Sequence, residues 1–543
     1  MWEKIALAEI KYVLFGGRLM HLDQTRGSFL YALESKQQIR FLWILVAQLL
    51  TFILSTSCSN SRTDEFQSHG YPQSSSLKRG GLLSPQSIFK MTIKPNDPLF
   101  PDQWHFENHG QISARGKMGK TGADIRFTHT HGIPETQNEI IIAVLDSGLE
   151  FSHPDLNADK IFLNRGEFGL DSNTQNKQNN GIDDDRNGYI DDIYGWNFAD
   201  KTPHLTDSLG HGTHITGLLI ARNNNGLGIA APWKGIKVLP LQIFSGKRPS
   251  ADSSTISAAI YYAVNMGAKV ISASFGTPTP TEELRNAVRY AQSNDVIFVS
   301  AVGNMRMNHD LEPSYPSGFH LENQISVGAM ERRGLPTNFT NFGNSVDIFA
   351  PGEDILSLSP SGAYAIRSGT SQACPLVAGA AATARLLYPH ENALEIKNRL
   401  LNSADEREGL MGFVAKAKSL NIDNIVLNKT GARIPTSEFS TWKTLDLRME
   451  SEHPYRSNTS AKFNITLPPE ARAFRLHFSR FITQSTDVVE IIDSENNVIA
   501  SLSGTLNDFW SPVINGASTT VTFITDQYVS DFGWIIDRVE YLD

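Results

Sequence analysis

Apolar runs of strand length alternate with amphipathic helical patterns, which predicts an α/β fold: a parallel sheet with helices on both faces, followed by an all-β sandwich. Between residues 96 and 428 the continuous apolar runs are Ile140–Leu145, Val238–Ile243, Lys269–Ser274 and Val296–Ala301. Runs without polar alternation mark strands buried on both faces. Between them, Ile256, Ala259, Ile260, Ala263 and Val264 share one face of a helix over 256–266. Leu284, Val288 and Ala291 do the same over 281–293. Beyond residue 428 the helical period disappears. Ala473–Phe478, Asp487–Ile492, Val498–Leu502 and Thr519–Ile524 are short β-type runs separated by turn residues, which sets 429–543 apart as a second, sandwich-like domain.

The 543 residues, 40% of them hydrophobic, suffice for one large core and a smaller second one. Net charge is −9 and no basic stripe stands out, so nucleic acid is not an expected partner. A monomer is expected. The 2 cysteines, Cys58 and Cys374, exclude a disulfide scaffold. Cys374 falls in a small-residue helix and reads as a buried, inert thiol. Cys58 closes the uncharged apolar segment FLWILVAQLLTFILSTSC behind Arg40. A membrane span, a secretory signal and a lipoprotein signal all fit this segment. The polar Ser59-Asn60-Ser61 reads as a tether. Leu54–Cys58 resembles a lipobox, with Ser55 where a branched apolar residue is usual. Lipidation at Cys58 and attachment to a membrane are therefore expected. All three readings export the rest of the chain, to a bacterial cell surface or beyond. The leader, 1–58, is long, which makes Met20 a candidate start. The polar stretch 59–95 reads as a linker or a pro-segment remnant, too short for a folded pro-domain.

Within the α/β domain, four residues stand at strand-to-helix junctions in glycine-rich surroundings. Asp146 follows the first strong strand, in AVLDSG. His211 opens a helix in GHGTH. Asn304 follows another strand, in AVGN. Ser371 lies in SGTSQACP. Singly, each has a plain structural reading: an Asx turn, a packing histidine, a turn asparagine and a helix N-cap. Together they supply acid, base, oxyanion donor and hydroxyl, the set that acyl transfer requires. Ser371 would be the nucleophile and His211 its base. Asp146 would hold the imidazole, and the Asn304 amide with the Ser371 N–H would bind the oxyanion.

The order Asp, His, Ser, with DSG, HGTH, AxGN and GTSxAxP, resembles the subtilisin-like serine peptidases over roughly 97–421. Gln372 and Leu376 replace the usual Met and His and carry no chemistry. The resemblance implies an endopeptidase acting on proteins or peptides. It places Ser274, Phe275 and Gly276 along the substrate backbone and makes Ala301–Gly303 the facing pocket wall. Ser314 then stands on the pocket floor, and a neutral floor implies apolar or broad preference. His214 is expected to be structural.

In NNGIDDDRNGYIDDIYGWNF, Asp183, Asp185, Asn187, Gly188 and Asp191 follow calcium-loop spacing. Structural calcium is therefore expected at Asp183, Asp185, Asn187 and Asp191. Tyr194 at position twelve and the lack of flanking helices exclude an EF-hand. By the same resemblance Asp155 matches a calcium-ligand position, although the loop around Asn223–Asn225 is short. The last stretch, LHFSRFITQSTDVVEIID onward, resembles a CUB-type sandwich without its cysteines, with a jelly roll as the alternative. Asp487 and Asp526 match carboxylates that bind calcium in some CUB members. A competing function is a surface-binding protein acting through this β-domain on an inactive protease scaffold. An intact acid, base, nucleophile and oxyanion donor weigh against it.

Overall fold

The computed structural model describes residues 94–435 and 442–542, except 114, 128–137, 173, 412, 414–416, 485, 497, 507 and 529. It also describes the backbone of three early strands, Tyr12–Phe15, Arg18–Leu22 and Phe29–Tyr31. These pair antiparallel in that order, within a unit spanning Met1–Leu82. The apolar segment ending at Cys58 and the linker up to 93 lie outside the described residues. No helix among the described residues is long and apolar enough to cross a membrane.

The remainder, Leu83–Asp543, is one compact unit built on a mostly parallel sheet. In chain order its main elements are β1 (Ile140–Asp146), β2 (Trp196–Asn197), α1 (His211–Ile220), β3 (Ile236–Gln242), α2 (Ser253–Asn265) and β4 (Val270–Ala273). They continue as α3 (Glu282–Ser293), β5 (Ile297–Ala301), β6 (Gln324–Met330), β7 (Ile348–Pro351), α4 (Thr370–Leu387) and α5 (Ala393–Ser403). The strand order is β7-β6-β5-β4-β1-β3-β2, every neighbouring pair parallel.

Why the central strands read as uninterrupted apolar runs is visible at β1. Ile142 and Val144 enter the core shared with α1 and α4, while Ala143 and Leu145 enter the core shared with α2 and α3. Both faces are covered, so neither can be polar. Strands β2 and β3 lie on one side of β1, and β4 to β7 on the other. The direction of winding therefore reverses between β1 and β4. A doubly wound sheet opens its ligand crevice there, beyond the strand carboxyl ends.

A hairpin, Ile355–Ser359 with Ala363–Arg367, packs against α1 and leads directly into α4. The catalytic sheet runs past residue 428, because Arg433–Ile434 still pairs with Asp405–Arg407. Beyond it are two antiparallel sheets. One has the order Lys443–Glu450, Gly533–Leu542, Ala473–Ile482, Phe509–Trp510. The other has Ser460–Thr466, Ser518–Ile524, Val488–Asp493, Val498–Leu502. They share a core that includes Phe474, Phe478, Val521, Trp534 and Ile536. The region is tied to the catalytic part by Asn308 Nδ2, which donates to the Ser501 carbonyl at 2.6 Å. Arg475 stacks on Trp442 and Trp510 at 4.5 and 4.7 Å and lies 3.4 Å from Met411 Sδ.

Candidate active site

Helices α2, α3 and α5 begin on capping side chains, Asp252, Thr281 and Asn392, each accepting a first-turn N–H. The two helices that carry His211 and Ser371 begin instead on Gly210 and Gly369, with no side-chain cap. Their first-turn N–H groups are left for the site to use.

At α1 the neighbours satisfy them. Ser147 Oγ accepts from Gly212 N at 2.8 Å and donates to Asp207 Oδ1 at 2.8 Å. Asp207 also accepts from Gly210 N and Thr213 N, both at 2.7 Å. This buried carboxylate thus joins the turn after β1 to the start of α1. A Cβ on Gly212 would run into the Gly148 carbonyl, so only glycine allows the approach. The result is that His211 Nδ1 donates to both Asp146 oxygens, at 2.8 and 2.9 Å. Asp146 is buried and its Oδ1 also accepts from Ser147 N at 2.7 Å. Burial opposes charge on the imidazole, but the attraction and hydrogen bond of Asp146 outweigh it, and the His211 pKa lies above its ordinary value.

Ser371 is inside the first turn of α4 and is not its N-cap. Four residues on, Pro375 has no N–H for the Ser371 carbonyl. Ser274 Oγ takes that role, donating to the carbonyl at 2.9 Å. In return the Ser371 hydroxyl donates to the Ser274 carbonyl at 3.0 Å rather than to His211. Asn304 follows β5, and its Oδ1 accepts from Thr370 N at 2.8 Å and Thr370 Oγ1 at 3.0 Å. With its oxygen held, the amide presents Nδ2 as a donor, 3.3 Å from where a Cβ on Gly369 would stand. That ideal Cβ lies 3.7 Å from Ser371 N. Gln372 Oε1 lies nearer still, 2.9 Å from the same point.

The expected substrate-binding residues lie beyond adjacent strands. Ser274–Gly276 follow β4, and Ala301–Gly303 close β5. The chain returns to this wall where Thr277 pairs with Tyr315, exchanging N–H···O bonds at 2.8 Å each way. That pairing sets the Ser314 hydroxyl against Gly276, where a Cβ would collide with it. Phe275 packs edge-on to Phe244, with ring centroids 5.9 Å apart. His214 is buried, with Nε2 at 3.1 Å from the Ile355 and Ala365 carbonyls. Cys374 is buried beneath the nucleophile turn, and burial pushes its thiol up to about 11.

The acidic turn departs from its spacing template. Asp191 accepts from Asn180 N and Gly181 N at 2.9 and 3.0 Å, and Asp183 from Asn187 N and Gly188 N at 3.0 and 2.8 Å. These bonds shape the turn. Asn187 Nδ2 points inward as a donor, 2.8 Å from Asp192 Oδ2. The carboxylates that converge are Asp185, Glu167 and Asp192, with ligand atoms within 4.8 Å of one another. Of the expected ligands, only Asp185 belongs to this group. Glu167 comes from a separate turn and is fully buried, with Oε2 lacking any hydrogen-bond partner. Burial first, then repulsion from neighbouring carboxylates, Asp183 in the case of Asp185, raises the pKa of all three. Among the described residues no Lys or Arg forms an ion pair with them. A buried, unpartnered carboxylate oxygen among all-oxygen donors fits a hard divalent cation. Asp155, by contrast, is met by Asn225 Nδ2 at 2.8 Å, Ile229 N at 2.9 Å and the Tyr364 hydroxyl at 3.2 Å. In the C-terminal region Asp487 accepts from Asp526 N at 2.7 Å and from the Tyr455 hydroxyl.

Residues 137–432 match the Subtilase family, peptidase S8. The chain belongs to that family. A thermophilic serine proteinase of Bacillus sp. (strain AK1) is 33% identical to this subtilase over 285 residues, 52% of this chain and 61% of its own length. Thermitase of Thermoactinomyces vulgaris is 31% identical over 277 residues, 51% of this chain and 85% of its own. The solved protease of Pseudoalteromonas arctica PAMC 21717 aligns at 24% identity over 62% of this chain and 99% of that one, with a TM-score of 0.46. The subtilase domain is that of a serine-type endopeptidase. Sequence reasoning missed Asp207, Thr370, Glu167 and Asp192. A signal existed for Asp207, a carboxylate three residues before a glycine that starts a helix. None existed for Glu167.

Proposed function

We propose that this subtilase is an exported endopeptidase that cleaves peptide bonds through an acyl-enzyme, with Asp146, His211 and Ser371 as triad. The observation that carries the reading is the Asp146 carboxylate bonded by both oxygens to His211 Nδ1. It leaves Nε2 as the base. A substrate strand lying along Ser274–Gly276 would engage the Ser274 carbonyl with its own N–H and release the Ser371 hydroxyl to His211. The hydroxyl oxygen then bonds to the substrate carbonyl carbon as its proton passes to Nε2. Asn304 Nδ2 and Ser371 N receive the oxyanion; one such donor is worth about 3–4 kcal/mol. Collapse breaks the C–N bond, and the imidazolium gives its proton to the departing amine. Water reverses these steps on the ester, returning free serine and a carboxylic acid.

The pocket between Ser274–Gly276 and Ala301–Gly303, with neutral Ser314 beside it, suits an apolar or small side chain before the scissile bond. Glu167, Asp185 and Asp192 would hold a calcium ion whose role is to neutralise a buried negative cluster and fix the turn between β1 and α1. The proposal includes export and a lipid anchor at Cys58, on the strength of the apolar segment that ends there, and a monomer at a cell surface. A fluorophosphonate probe tests the reading. Labelling of the purified chain at Ser371, lost in Ser371→Ala and His211→Ala, is expected. A folded, calcium-loaded chain that does not label would instead favour a binding protein on an inactive scaffold.

A further inference from the structure

The use of Asn304 depends on where its Nδ2 stands; Thr370 holds the Asn304 Oδ1 and, through Oγ1, the Gly303 N–H at 3.2 Å. Its backbone lies on the turn Val302–Met307, whose ends are held by Val302 N on the Val327 carbonyl at 3.2 Å and Arg306 N on the Phe339 carbonyl at 2.8 Å. One side chain from the loop between β6 and β7 bonds the turn on either side of Asn304. Asn341 is 3% exposed. Its Nδ2 donates to the Val302 carbonyl at 2.8 Å, and its Oδ1 accepts from Met305 N at 3.0 Å and Met307 N at 3.1 Å. Its own N–H donates to the Gly303 carbonyl at 3.0 Å. These bonds reach both limbs of the turn, before and after Asn304. Only one orientation of the amide can satisfy a carbonyl on one side and two N–H groups on the other. The fit is close: Gly303 has φ +107°, and a Cβ there would stand 2.7 Å from Asn341 Nδ2.

We propose that Asn341 is a positioning residue that sets the Asn304 amide opposite the Ser371 N–H. The inference rests on the reading of Asn304 as oxyanion donor. Asn341 touches neither substrate nor reacting atoms, so it acts entirely through the turn. A small displacement of a preorganised donor removes much of its effect on the transition state while leaving ground-state binding alone.

The test uses the full chain and a chromogenic peptide anilide with an apolar residue before the scissile bond. Asn341→Ala is expected to lower kcat by roughly 10- to 100-fold, with KM changed less than about twofold, at a temperature well below its Tm. Asn341→Asp keeps the shape and both acceptor contacts but loses the donor to Val302. It is expected to fall between wild type and Asn341→Ala, and serves if the alanine variant does not fold. Affinity for a peptidyl boronic acid should fall in parallel with kcat. The deciding comparison is a double-mutant cycle: Asn304→Ala with Asn341→Ala should be no slower than Asn304→Ala alone. Multiplying losses, or a change confined to Tm or KM, would overturn the positioning role and leave the oxyanion reading standing. An Asn304→Ala enzyme of undiminished kcat would remove both.

Discussion

The crevice beyond the strand ends and the acidic turn were both legible as motifs, but folding partners their side chains in different ways. Asp146, His211, Asn304 and Ser371 come from four distant segments; His211 meets Asp146, and Asn304 meets Thr370, the neighbour of Ser371. In the acidic turn, Asp185 joins Glu167 and Asp192 with Asp183 beside it, while Asp183 and Asp191 also accept backbone N–H groups. Each catalytic residue is bound to a local backbone geometry, a strand end or a helix start, that glycines mark in sequence. A loop carboxylate has no such constraint. It goes to whichever donor the turn presents, and a spacing rule cannot see Glu167 arriving from elsewhere.

The sharpest way to break this contrast is at the nucleophile. Ser371→Ala should reduce kcat by about 10⁶-fold, a scale set by subtilisin, with little change in Tm; a small loss, measured with an anilide substrate, would show that the crevice is not the reaction centre. Asp146→Asn should cost about 10⁴-fold. It should also move the acid limb of kcat/KM to lower pH. The neutral imidazole is the active form, so activity rises through the His211 pKa, which Asp146 holds above its ordinary value. Asn304→Ala should cost about 10²–10³-fold in kcat with KM nearly constant.

The acidic turn should respond in stability instead. Calcium at a hundredfold excess over its Kd should add about 2.7 kcal/mol, read as a rise in Tm. Glu167→Gln should abolish that rise, whereas Asp191→Asn should not; the reverse pattern would restore the spacing template. A further effect on stability concerns a buried histidine outside both regions. His105 is fully buried with neither ring nitrogen bonded, and burial lowers its pKa from 6.5 to about 3. The unfolded chain therefore binds the extra proton between those values, so stability is lost as pH falls from about 6.5 towards 3. His105→Leu should flatten that part of a Tm–pH curve. His214, lowered to about 3 for the same reason, would account for the remaining slope.

By itself the sequence determined the layer order and the motifs that carry the candidate site. Unbroken apolar runs marked strands covered on both faces, as Ile142 to Leu145 are, and the C-terminal loss of helical period marked a stretch of antiparallel strands with a core cluster of its own. The reacting residues were legible because acyl transfer admits few side-chain types and each needs glycine close by. Tertiary structure alone decided which groups serve them. Asp207 and Ser147 satisfy the open start of α1, Ser274 takes the carbonyl that Pro375 orphans, and Asn341 ties the turn bearing Asn304. It alone also brought Glu167 to Asp185 and Asp192. The physical reason is the same in each case. A buried polar group must find a partner, and that partner is chosen by distance in the folded chain, to which spacing along the sequence is no guide.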